Sequence, residues 1–120
     1  MRKSRDSLMR EVRRLSPEEW AQIALNLDHP LNVCWRQVMS YWEMAAGFVK
    51  HGVLHADLFA ENCGEALIVY ARVQSVLPKI RETAPTALAN IEWLIEHSAE
   101  ARTRLERYRT RFAPPVAAKP

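Results

Sequence analysis

The sequence predicts an all-α fold, an irregular bundle of five or six helices, and three observations predict it. Glycine is scarce, at three of 120 residues. Apolar residues recur in steps of three and four, and the strict alternation of a half-buried strand is hard to find. One stretch, 31–50, is apolar over most of a helical circumference, as suits the centre of a bundle. At 120 residues and 48% hydrophobic composition, the chain can bury about two-thirds of its unfolded surface. A single helical domain over 1–112 is expected, followed by an extended or disordered Pro/Ala tail over 113–120.

Each element follows from local chemistry. Leu8, Val12 and Leu15 share one side of a basic segment, predicting a short helix over about 4–15. Ser16-Pro17-Glu18-Glu19 has the form of a capping box, with Ser16 as N-cap, Pro17 at the first helical position and Glu19 as the third helical residue. That helix carries Trp20, Ile23, Ala24 and Leu27 and should stop at Asp28-His29-Pro30. The helix over 31–50 has a narrow polar stripe of Asn32, Arg36, Ser40, Glu43, Gly47 and Lys50. Gly52 should follow it as a left-handed cap. Asp57, Leu58 and Phe59 open a short helix, and Gly64 marks a bend or a close helix contact.

From Ala66 a four-three apolar stripe runs through Tyr70, Val73, Leu77, Ile80, Ala84, Ala87, Ile91, Leu94, Ala101, Leu105, Tyr108 and Phe112, interrupted only at Ser98. Such spacing favours left-handed helix packing. Proline removes an amide donor and clashes with the preceding turn. The stripe should therefore divide into a helix over about 65–82 kinked at Pro78, a break at 83–85, and a long C-terminal helix over 86–112. That last helix would span about 40 Å, and Ser98 is where it would bend or break.

The charge is unevenly placed. Residues 1–14 hold six basic and two acidic side chains, residues 101–113 hold five arginines against one glutamate, and the middle is acidic. Arg102, Arg104, Arg107, Arg109 and Arg111 fit a solvated helix face, contacts to an acidic partner within or between chains, or contacts to phosphates. No exposed aromatics interleave with them, because Tyr108 and Phe112 fall on the apolar stripe, which argues against base stacking. The basic N-terminus lacks the apolar run of an export signal, and Arg36, Gln37 and Glu43 interrupt the most apolar window. A cytoplasmic protein without a membrane span is expected.

No reactive constellation stands out. His51 and His55 are four apart, but Gly52 between them should end the helix, so they are read as turn histidines rather than metal ligands. Cys34 and Cys63 lack a CxxC partner and are read as small buried hydrophobes. Glu43, inside an apolar helix beside Trp42, requires a partner, because an unpaired buried charge is costly. Arg36, Arg72 and Arg81 are candidates. P-loop, GxGxxG and GxSxG motifs are missing. The expectation is a protein that is not an enzyme and carries no metal or cofactor.

The segments Trp42-Glu43-Met44 through Gly52-Val53-Leu54, Asp57-Leu58-Phe59, Cys63-Gly64 and Leu77-Pro78-Lys79-Ile80-Arg81 together resemble a family of small bacterial helical domains of unknown function. The resemblance covers about residues 38–95. It implies a bacterial source, a helical fold and Glu43 with Arg81 as a buried ion pair, and it implies no activity.

These readings converge on a non-enzymatic protein-interaction module that self-associates as a homodimer, through the 86–112 helix or exposed aromatics, or that binds another helical protein. One alternative is a nucleic-acid-binding accessory protein using the basic terminal helices. Another is a small-molecule pocket around Glu43 and Trp42.

Overall fold

The computed structural model describes residues 2–112, and the tail expected over 113–120 lies outside them. Where the sequence predicts five or six helices, the described chain folds as eight α-helices and one 3₁₀ turn, with no strand. They are α1 (Arg2–Arg10), α2 (Pro17–Leu25), α3 (Asn32–Lys50), α4 (Ala56–Ala60), α5 (Gly64–Val73), the 3₁₀ turn Gln74–Val76, α6 (Leu77–Thr83), α7 (Ala89–His97) and α8 (Ala99–Phe112). Among the described residues no helix is long and apolar enough to cross a membrane.

The local punctuation works as the residue types dictate. Ser16 sits in extended backbone and its hydroxyl accepts from the Glu19 amide at 3.2 Å, with Pro17 in the first turn. At the far end of α3, Gly52 takes φ +80°. Its amide reaches the Val49 carbonyl, and the Val53 amide reaches the Phe48 carbonyl at 2.8 Å. Those two bonds form a Schellman motif, which satisfies the carbonyls that the last helical turn leaves open.

The four-three stripe after Ala66 is broken more finely than expected. The kink placed at Pro78 falls earlier, as the 3₁₀ turn, and Pro78 lies in the first turn of α6. A proline there needs no amide partner, and its ring would have crowded the carbonyl of Gln74 had the helix run through. The expected helix over 86–112 is two helices divided at Ser98, whose backbone is extended. The Ser98 hydroxyl accepts from the Ala101 amide at 3.1 Å and donates to Asp57 Oδ1 at 2.8 Å, so it caps α8 and ties it to α4.

α3 packs against α1, α2, α4 and α7, while α5 lies under α8. Trp20, Ile23, Val38, Ala46, Leu67, Val69, Val73, Ile91 and Leu94 are buried together, with the Trp20 and Trp35 rings 6.3 Å apart. At Gly64 the side chain of Tyr108 on α8 lies close to α5, since a Cβ there would stand 2.9 Å from the Tyr108 hydroxyl. The stripe residues Ile91, Leu94, Ala101 and Leu105 are all buried within the chain. The four-three pattern is therefore consumed by folding and leaves no long seam open on α7 and α8.

Candidate functional site

α3 is the element to follow, because only part of its apolar surface is covered. Trp35, Val38, Met39, Ala46 and Val49 face the core. Tyr41, Met44 and Phe48 face out and are 45, 55 and 46% exposed. Their spacing of three and four places them on one stripe of the helix. The Schellman turn then holds Val53 and Leu54 beside Phe48 through the Phe48 carbonyl, at 2.8 and 3.3 Å. Val53 is 69% and Leu54 42% exposed, and Leu58 on α4 is 60% exposed. A large side chain offers roughly 150–250 Å², so these six leave about 600 Å² of apolar surface open, at the upper end of what monomers usually show. Two further exposed apolar residues, Leu27 and Val33, lie before this stripe in the chain.

The stripe has a rigid backing. Tyr41 meets Trp42 edge-to-face at 5.1 Å, and Trp42 meets Phe59 of α4 in the same manner at 6.1 Å. His55 caps α4, its Nδ1 accepting the Leu58 amide at 3.4 Å, while His51 closes α3. The two histidines thus belong to different helix ends. Among the described residues no three of His, Cys, Asp or Glu gather as metal ligands.

A groove of about 480 Å³ opens at the Tyr41 end, lined by Arg5, Tyr41, Trp42, Asn62, Gly64 and Glu65. Arg5 Nε donates to both Glu65 oxygens at 3.0 and 2.9 Å across its wall. Those hydrogen bonds and the carboxylate charge raise the Arg5 guanidinium above its ordinary value. A second groove of about 410 Å³ lies between α3 and the segment before α7 and includes Arg36, Ser40, Glu43 and Leu88 in its lining. Trp42 and Glu43, expected to share one pocket, line different grooves, because adjacent helical residues point about 100° apart.

Glu43 and Arg81 are not brought together as an ion pair. Glu43 accepts the amides of Asn90 and Ile91 at 3.0 and 2.9 Å, and its carbonyl accepts from Asn90 Nδ2 at 3.1 Å. It serves as the N-terminal cap of α7, where orphan amides and the helix dipole favour an anion. Arg81 reaches Glu92 Oε1 at 3.2 Å and the Ala87 carbonyl at 3.1 Å. Tyr70 donates to the same Glu92 at 2.9 Å, joining α5 to α6 and α7. Burial, followed by that hydrogen bond, pushes the Tyr70 hydroxyl up to about 12.

The α8 arginines are mostly occupied. Arg102 donates to the Ile95 and Glu96 carbonyls at the end of α7, Arg104 pairs with Glu100 at 2.7 Å, and Arg109 binds Glu106 and Gln74. Arg111 lies over the Tyr108 ring at 5.5 Å, and Arg107 is exposed. Cys63 is buried, and burial pushes its thiol up to about 11, while Cys34 is half-buried.

The residues that sequence reasoning missed are those whose role depends on a distant partner. Asn32 falls on the polar stripe of α3 yet is fully buried, donating to the Ile23 carbonyl at 2.8 Å and accepting from Arg36 Nε at 2.9 Å. The sidedness of Tyr41, Met44 and Phe48 carried no signal in a helix apolar nearly all round. Comparison with curated proteins gives no match, and neither does comparison with solved structures. A family model does match, over residues 1–98 and so from α1 through the end of α7: the chain belongs to the family described as domain of unknown function DUF4760.

Proposed function

We propose that this chain is a protein-interaction module without catalytic chemistry of its own, and that it self-associates through the exposed face of α3, the following turn and α4. One observation carries the reading: Tyr41, Met44 and Phe48 stand about half-exposed on a single stripe, although the same helix buries its other apolar side. Exposed apolar patches of this size mark contact sites on otherwise polar surfaces. The surface expected for this role on the 86–112 segment is instead spent on α3 and α5, so the exposed aromatics are the part of the expectation that gains support.

Light scattering at micromolar concentration tests it. The expected mass is twice the 13.9 kDa of one chain. A monomer across that range would remove the self-association reading. The phosphate-binding alternative has less support, because Arg102, Arg104 and Arg109 are already engaged by the chain's own carbonyls and acids.

A further inference from the structure

We propose that the occupant of this face is a second copy of the same chain, docked with its α3 antiparallel about a two-fold axis at Met44. The inference rests on the self-association reading above and adds the geometry.

Three features of the surface carry it. The first is size. About 600 Å² of open apolar surface is most of the roughly 800 Å² that each partner contributes to a standard interface. The second is the arrangement along α3. Met44 is central, with Tyr41 three residues before it and Phe48 four after it. A two-fold contact must be self-complementary. An antiparallel two-fold at Met44 sets Tyr41 against Phe48 of the other copy and Phe48 against its Tyr41, and two methionines meet at the centre. Aromatic pairs add about 0.5–1.5 kcal/mol beyond area alone, and methionine adapts to irregular gaps.

The third feature is shape. The Tyr41 end carries a groove of about 480 Å³, and the Phe48 end carries the projecting Val53 and Leu54. The two ends are about 10 Å apart along the helix. A two-fold exchanges them, so the projecting turn of one copy meets the groove of the other. A parallel arrangement fails on the same residues. It would align two helix dipoles and lay groove on groove.

A residue on a two-fold axis can be linked to its own copy, so cysteine placed there reports the geometry directly. Met44→Cys, oxidised under mild conditions, should give a covalent dimer on a non-reducing gel. Val33→Cys, about three turns up the same helix, should not, because its partner copy is then far away. Disulfide formation requires Cα atoms within about 7 Å, which only positions near the axis satisfy. Met44→Glu would place two like charges face to face and should weaken association on the order of 100-fold or more, while helix content by circular dichroism stays unchanged. Leu27→Glu, on an exposed loop residue away from the face, should leave the mass unaltered.

A dimer that links at position 44 and dissociates with Met44→Glu bears the proposal out. A dimer by mass that links through Val33→Cys, or does not link at position 44, overturns the two-fold and leaves self-association standing. A monomeric wild-type chain overturns both.

Discussion

Leu88 stands at φ 56°, a left-handed backbone that side chains with a Cβ rarely adopt, and it does so while buried. Its position explains the cost. It precedes α7, where the chain must turn sharply from the Ala84–Ala87 segment into the helix, and its carbonyl accepts the Glu92 amide at 2.9 Å. The strain of a left-handed non-glycine residue is about 1–2 kcal/mol, against roughly 2–5 kcal/mol gained by burying a leucine. Packing wins, so the leucine stays. The balance predicts an inverted order of substitution. Leu88→Ala loses the packing and keeps the strain, whereas Leu88→Gly loses the packing and sheds the strain. Glycine should therefore be the milder change by about 1 kcal/mol, opposite to the usual helix ranking. Urea unfolding of both variants measures it. An alanine variant as stable as the glycine variant, or more so, would show that the left-handed backbone is not maintained.

Glu43 shows what an element requires of its neighbour. α7 begins without a side-chain cap of its own, and α3 supplies one from 47 residues away. Arg81 meanwhile holds the start of the same helix through the Ala87 carbonyl and Glu92. The two side chains serve one helix without serving each other. Double-mutant cycles should separate them: coupling between Arg81 and Glu92 of about 0.5–1 kcal/mol, and coupling between Arg81 and Glu43 within the additive error of about 0.3–0.5 kcal/mol. Glu43→Ala alone should cost about 1–3 kcal/mol, because it strands two helix amides. A large Glu43–Arg81 coupling would restore the ion pair implied by the family resemblance. The contrast explains what could be read in advance. The Ser16 cap, the Gly52 turn and the breaks near Pro78 and Ser98 depend on residues within one or two turns, so the sequence displays them. The partners of Glu43 and Asn32 are set by how helices meet. Nor can periodicity tell which side of α3 its own chain will cover, and that side holds the candidate site.

At the scale of the molecule, the basic ends are drawn onto the middle. Arg5 of α1 pairs with Glu65 of α5, Arg109 of α8 binds Gln74, and Arg72 lies under the Phe112 ring at 5.2 Å. An exposed ion pair such as Arg5–Glu65 contributes little, and it orients the terminal helix more than it holds it. What holds α8 is burial. Ala101 and Leu105 are fully enclosed, Tyr108 reaches within contact distance of Gly64, and Ser98 joins the helix to α4. The matched family segment ends at Ser98, so α8 lies beyond it while covering much of α5. Removing residues 99–120 uncovers α5 at its most apolar stretch, Ala66 through Val73. Each large apolar side chain returned to water costs about 1.5–3 kcal/mol, and a domain has only about 5–15 kcal/mol to lose. The shortened chain should keep much of its helix signal but lose a sharp thermal transition and bind a dye for apolar surface. A cooperative melt close to that of the full chain would mean that α1 to α7 close a core of their own, and that α8 lies on it as an addition rather than a wall.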